Sequence, residues 1–238
     1  MAYPLLHSQN LFITCADFFK MDILNIGLAL CIAYLLGSIP AAVWVGKWFH
    51  NVDVREHGSN NAGATNVIRV LGWGTGIPVL IFDLGKGWLA TMMPVFLLTA
   101  DPESAMLINL KVIAGLCAIV GHIYPIFAGF KGGKGVATMF GALLALEPLL
   151  TMCCLGVFLV VFLITGIVSV SSIAAGIAFP LFLFIVSFFY TPSFFLKVFS
   201  VLVALTLIVT HQKNIKRLIK GEEKRLKYIG LIKGKEKR

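Results

Sequence analysis

Four stretches of this chain, residues 23–46, 77–99, 107–128 and 149–168, are apolar almost without interruption. Each comes close to the about twenty residues that a helix needs to cross roughly 30 Å of hydrocarbon. With 58% apolar and 13% charged residues among 238, too little polar surface remains to cover a water-soluble core. A membrane is therefore the solvent these runs require. Residues 172–190 and 194–210 are slightly shorter and nearly free of charge, and the turn Tyr190-Thr191-Pro192-Ser193 divides them as proline and small polar residues do. Both read as further spans. Residues 136–146 are too short by the same arithmetic and end at Glu147-Pro148, which predicts a half-length, tilted or re-entrant helix.

The cations orient these spans. Sixteen of the twenty Lys and Arg lie in residues 47–75, in residues 130–135 or beyond residue 210, which places those segments in the cytoplasm. The connection 100–106 carries Asp101 and Glu103 without a cation and suits the outer side. A return from Gly135 to His211 on one side needs an even number of crossings. The expected fold is an all-α polytopic membrane protein with about seven transmembrane helices, five being the alternative, an outer N-terminus and a cytoplasmic C-terminus. It divides into an N-terminal extension (1–20), a membrane domain (21–212) and a basic cytoplasmic tail (213–238). His7, Gln9, Asn10 and Asp17 interrupt the extension, which lacks a basic start and a cleavage site and so does not read as a signal peptide. Met21, directly before the first run, is an alternative start.

The formal net charge of +9 is mostly a property of the tail, where eleven cations lie between Lys213 and Arg238. Such a tail fixes topology and attracts anionic lipid, each cation contributing roughly 1 kcal/mol near the surface; it does not point to nucleic acid. Cys15, Cys31, Cys117, Cys153 and Cys154 show neither a CxxC spacing nor nearby histidines, and read as packing residues rather than as a disulfide or metal set. No internal repeat or low-complexity stretch is evident.

Polar chemistry gathers in the three cytoplasmic segments. The first holds Gly58-Ser59-Asn60-Asn61-Ala62-Gly63-Ala64-Thr65-Asn66, with Arg69 shortly after. Its glycines let the backbone approach an anion closely. If a helix begins near Gly63, Thr65 and Arg69 share a face one turn apart and can grip one phosphate. The alternative is a polar turn capping a surface helix. The second holds Lys131-Gly132-Gly133-Lys134-Gly135 and then Val136-Ala137-Thr138, so that backbone amides, a helix start and two lysines converge. Read blandly, it is a basic loop obeying the positive-inside rule. A nucleotide-binding P-loop is excluded, since Ala128 takes the place of its first glycine and Gly135 that of its Ser or Thr. The third holds His211, Gln212, Lys213 and Asn214, with His211 and Asn214 on one helical face. Asn66 and Thr138 complete the candidate substrate-binding set. Asp83 and Lys86, three apart inside the second run, are read as a mutual ion pair that tolerates burial. His122, Tyr124, Trp44, Trp48 and Trp73 are read as interfacial anchors.

On these residues the chain resembles the bacterial acyl-phosphate:glycerol-3-phosphate acyltransferase family. Three motifs carry the likeness, GSNNAGATNVIR (58–69), GHIYPIFAGFKGGKGVAT (121–138) and HQKNIKRLIKGEE (211–223), and it covers essentially everything from Met21 onward. Two departures are the N-terminal extension and Asn60, where a glycine is common. The resemblance implies an inner-membrane enzyme that moves a fatty acyl group from a long-chain acyl phosphate to the 1-hydroxyl of glycerol 3-phosphate. The products would be lysophosphatidate and inorganic phosphate, the first step of phospholipid synthesis. It implies that Ser59, Arg69 and Lys134 bind the acceptor phosphate, that Asn61, His211 and Asn214 line the reacting centre, and that Gly132 and Gly133 shape the pocket. Membrane lipid and an upstream acyl-phosphate-forming enzyme are the implied partners.

An acyl phosphate is a mixed anhydride with a good leaving group, so positioning and charge stabilisation should dominate, with no cofactor or metal needed. The proton acceptor would be His211 or the departing phosphate. No Ser or Cys nucleophile with a positioned base is visible, which predicts direct transfer. The rival is a permease for a phosphorylated solute, which predicts mid-span polar groups and related halves. Only Asp83 and Lys86 meet the first requirement and nothing meets the second. A membrane scaffold would leave three phosphate-suited loops unexplained. The His-x4-Asp motif of soluble acyltransferases is absent.

Overall fold

A computed structural model describes residues 15–226 apart from 100, 102, 103 and 190, and side chains from residue 22. The described residues form ten α-helices: α1 (Cys15–Gly37), α2 (Ala41–His50), α3 (Ala64–Leu71), α4 (Trp73–Leu97), α5 (Ala105–Ile123), α6 (Val136–Leu146), α7 (Pro148–Thr165), α8 (Val168–Val186), α9 (Phe194–Thr210) and α10 (Gln212–Ile219). No strand occurs among them. The first two motifs and the start of the third lie at the ends of these helices, where irregular backbone is expected to meet water rather than lipid.

Four elements are long and apolar enough to cross a membrane: α4, α5 with the turn that follows it, α7 and α8. Two more arise if each bent pair is one span, α1 with α2 (bent by 43°) and α9 with α10 (bent by 58°). The first run, 23–46, is thus not one straight helix. Pro40 supplies no N–H to continue the ladder, and the chain turns between Gly37 and Ala41. α6 has eleven residues, about 16 Å at the usual rise. Its beginning at Val136 and end before Glu147-Pro148 are those the sequence predicts. The α7–α8 junction lies earlier than expected, because Gly166 takes a left-handed conformation (φ 69°) that ends α7 and lets α8 start at Val168.

Close packing of small residues replaces the hydrophobic effect that is missing between helices in lipid. Ala33, Ala90, Ala114 and Ala118 on α1, α4 and α5 are buried together. A Cβ on Gly87 would strike the Thr138 backbone and one on Gly141 the Leu84 backbone, so α4 and α6 approach nearly backbone to backbone. α7, α8 and α9 meet the first group around Met139, Leu143, Phe179, Phe199 and Val203. Leu163, Ile164, Phe184 and Phe188 face outward, as lipid-exposed helices require. Asp83 and Lys86 do pair, at 2.8 Å and nearly full burial, and the lysine also donates to the Ile39 carbonyl at the α1–α2 break (2.7 Å).

Candidate active site

Between the two helix groups runs a cavity of about 430 Å³ with two unlike ends. One end is lined by Ser59, Asn61, Thr65, Arg69, Lys134 and His211; the other by Leu84, Leu143, Cys154, Leu155, Phe158 and Val203. The polar end is assembled from all three motifs.

The first motif owes its shape to Asn66. Its side-chain oxygen accepts from the Ser59 amide (2.7 Å) and hydroxyl (3.0 Å), and its amide group donates to the Val54 and His57 carbonyls (2.7 and 3.0 Å). Every hydrogen-bonding arm of this buried residue is thus engaged by the loop around it. Asn60 sits at φ 58°, a left-handed conformation that asparagine tolerates better than other side chains, which accounts physically for its standing where glycine is common. α3 then begins at Ala64, so Thr65 and Arg69 line the cavity one turn apart. Arg69 donates to the Lys224 carbonyl (3.3 Å), while its buried Nε has no partner among the described residues. Burial lowers its affinity for a proton, and the neighbouring Arg217 adds to this while Glu223 opposes it.

In the second motif α6 starts from Gly135, and Lys134, Gly135, Val136 and Ala137 line the cavity at that helix N-terminus. Burial lowers the Lys134 ammonium pKa to about 8, against the pull of Glu223 and with help from Arg217 and Arg69. Its Nζ donates to the Asn214 carboxamide oxygen. Gly132 and Gly133 do not line this cavity. Their amides donate to the Ile123 and His122 carbonyls (3.2 Å each), and a Cβ on either would overlap His122. Thr138 is fully buried, its hydroxyl donating to the Asp83 carbonyl (3.2 Å) and lying 3.0 Å from His122 Nδ1. His122 is therefore no interfacial anchor: it is 6% exposed, because the Thr138 hydroxyl and Asp83 draw its ring inward. Tyr124 and Trp48 are exposed, and Trp44 stacks on Trp48, whereas Trp73 opens α4 at the cavity wall.

In the third motif His211 occupies the turn between α9 and α10, 3% exposed. Its Nδ1 lies 2.8 Å from the Leu207 carbonyl. A carbonyl only accepts, so Nδ1 carries the hydrogen and the neutral ring keeps its lone pair on Nε2. Asn214 bridges Lys134 and the Glu223 carboxylate, to which its amide group donates. Glu223 also accepts from Ser169 (2.9 Å) and Arg217 (2.8 Å). Burial, the largest single influence, pushes its carboxyl pKa up, but the Asn214, Arg217 and Ser169 donors prevail and hold it below the ordinary value. Beyond Glu223 the Leu226 amide donates to the Gly166 carbonyl (2.9 Å), strapping the chain across the cavity mouth.

Sequence reasoning did not single out Glu223, Ser169 or the brace at Arg55. Arg55 pairs with Asp53 (2.7 Å) and donates to the Ala128 carbonyl (3.0 Å), tying the first motif's approach to the second. An acid closing a strongly basic motif was the available signal for Glu223. Nothing in the order of residues signals the other two.

A family model described as glycerol-3-phosphate acyltransferase matches residues 27–221. A glycerol-3-phosphate acyltransferase of Salinibacter ruber is 44% identical over 209 residues, covering 83% of this chain and 90% of the relative. One of Chlorobaculum parvum is 40% identical over 219 residues, covering 83% and 94%. Among solved structures, the glycerol 3-phosphate form of PlsY (YgiH), an integral membrane glycerol 3-phosphate acyltransferase, is similar with a TM-score of 0.76 and 36% identity, over 85% of this chain and 96% of that one. Its lysophosphatidic acid form gives 0.72 and 35%, over 85% and 95%.

Proposed function

The chain belongs to the glycerol-3-phosphate acyltransferase family, and from that premise we propose that its two-ended cavity transfers a long-chain acyl group from acyl phosphate to the 1-hydroxyl of glycerol 3-phosphate. It is a multi-pass membrane acyltransferase. The observation that carries the donor and acceptor assignment is the cavity itself. A cationic mouth, where Arg69 Nε lacks a partner among the described residues, passes into an apolar shaft between α4, α6, α7, α8 and α9. A small dianion fits the first and a fatty chain the second. The permease alternative draws no support from the family match.

In the proposed reaction Ser59, Thr65, Arg69 and Lys134 hold the acceptor phosphate, and Asn66 keeps the loop that presents Ser59. The acyl tail lies along the shaft. The glycerol hydroxyl oxygen attacks the acyl carbonyl carbon, a new ester C–O bond forms, and the bond from that carbon to the phosphate oxygen breaks. The proton goes to His211 Nε2 or to the departing phosphate. Asn214, fixed between Lys134 and Glu223, and Asn61 line the reacting centre. Orientation in a dry, cationic site supplies most of the acceleration, and no acyl-enzyme forms.

Positive-inside reasoning supports seven crossings, made by α1 and α4 to α9, with the N-terminus outside, the motifs facing the cytoplasm and the protein in the inner membrane. The decisive experiment supplies purified protein in detergent with palmitoyl phosphate and glycerol 3-phosphate, with palmitoyl-CoA in parallel, and follows phosphate release and lysophosphatidate. Equal amounts of both products from acyl phosphate alone are expected. Activity restricted to palmitoyl-CoA would refute the donor assignment.

A further inference from the structure

Four buried polar side chains, Asp83, Lys86, His122 and Thr138, lie at the wall of the cavity, which Asp83 and His122 border, and take no part in the reaction as proposed. They form one connected unit. Lys86 holds Asp83 and the Ile39 carbonyl; Thr138 donates its single hydroxyl hydrogen to the Asp83 carbonyl. With that hydrogen spent, the 3.0 Å contact to His122 Nδ1 requires the imidazole to donate. The ring is thereby fixed, with Nδ1 also 3.7 Å from the Asp83 carboxylate.

The other face of His122 meets the second motif. Its Nε2 lies where a Cβ on Gly133 would fall, and its carbonyl accepts the Gly133 amide while Ile123 accepts that of Gly132. These carbonyls belong to the last turn of α5, which would otherwise lack partners. The loop is thus folded back onto α5 over the immobilised ring, and the next residue, Lys134, emerges into the cavity.

We propose that His122 is a positioning residue for Lys134, the joint through which the buried Asp83–Lys86 pair and Thr138 fix where the ammonium stands. The inference rests on the reading that Lys134 holds the acceptor phosphate. Although His122 borders the cavity, its effect in this role reaches the reaction through one residue of the backbone loop. A histidine in this role serves by shape and by one N–H.

The test compares His122→Leu, His122→Asn, Thr138→Val and Lys134→Met as purified proteins, with KM for glycerol 3-phosphate, KM for palmitoyl phosphate, kcat and the thermal midpoint as readouts. Asparagine keeps a donor near Nδ1, whereas leucine does not. The expected result is a glycerol 3-phosphate KM raised about tenfold to a hundredfold in His122→Leu, the scale of a small misplacement. The donor KM stays within about twofold, and His122→Asn recovers most of the loss. Thr138→Val gives the same pattern, and its combination with His122→Leu is less than additive, as for two parts of one link. If His122→Leu does not fold, Thr138→Val and His122→Asn carry the test through the same KM ratio. Equal losses in both KM values and kcat without rescue by asparagine would overturn the proposal, as would unchanged kinetics in His122→Leu. A Lys134→Met protein with normal glycerol 3-phosphate KM would overturn the underlying reading instead.

Discussion

The two ends of the cavity are built on different principles. At the polar mouth, three side chains are tied to partners far away in sequence: Lys134 to Asn214, Arg69 to the Lys224 carbonyl, Ser169 to Glu223. The apolar shaft is a set of helix faces. Leu155, Phe158 and Phe162 line it from α7, Ala175 and Gly176 from α8, Val203 and Leu207 from α9. Removing one contact at the mouth leaves a buried polar group without its partner, while removing one from the shaft leaves many similar contacts in place. Recognition of the small acceptor should therefore be concentrated in single residues, and recognition of the chain spread over many.

The largest effect that follows is at the mouth. Arg69→Met or Lys134→Met should lower kcat/KM for glycerol 3-phosphate by about a thousandfold, the scale of losing one charge-stabilising donor in a water-poor site. Steady-state kinetics at saturating acyl phosphate measures it. A loss of only twofold would show that the mouth is as redundant as the shaft. Glu223→Gln should cost about 2 kcal/mol, since the bonds from Arg217, Asn214 and Ser169 lose the charge that strengthens them. That corresponds to about a thirtyfold fall in kcat/KM, with a lowered thermal midpoint as the independent check.

Acidity gives a subtler probe. Lys134, with its pKa lowered to about 8, is charged at neutral pH and loses its proton as pH rises through that value. The KM for glycerol 3-phosphate should accordingly climb by up to about tenfold per pH unit above 8, and Lys134→Arg, whose guanidinium stays charged, should flatten the climb. Stability in the absence of substrate should move the other way. Between about pH 8 and the ordinary lysine value of 10.5 the unfolded chain binds more protons, so folding gains as pH rises. A pH series of thermal midpoints on wild type and Lys134→Arg separates the two signs. The smallest effect belongs to the shaft: Phe158→Leu or Val203→Ala should change kcat/KM for palmitoyl phosphate by no more than about tenfold and leave a four-carbon acyl phosphate unaffected.

The same contrast explains what could be read in advance. Apolar runs of the right length announce helices, so α4, α7 and α8 are legible to within a few residues, and the start of α6 follows from the glycines before Val136. The break at Pro40 is legible only in hindsight, since a run of apolar residues conceals a change of direction. Motif residues with charge or a hydroxyl, such as Ser59, Thr65, Arg69, Lys134 and His211, do line the cavity. Their supports are less visible. Asn66 and Thr138 look like substrate ligands in the sequence, yet their hydrogen bonds go to neighbouring protein groups, because a polar side chain's partner is decided by tertiary packing. His122, next to a basic loop, looks interfacial until α4 and α6 are seen to enclose it.

The strap formed by Glu223 to Leu226 has a further consequence for how the protein comes into being. The first half of the mouth, Ser59 to Arg69, is made early by the ribosome, but Asn214, Glu223 and the Leu226 anchor on Gly166 come after the last membrane helix. The mouth is complete only when these last residues are in place, so a chain ending short of Glu223 should keep its apolar helices and yet lack the ties to Asn214 and Gly166. Such a truncated product should occupy the bilayer without consuming substrate.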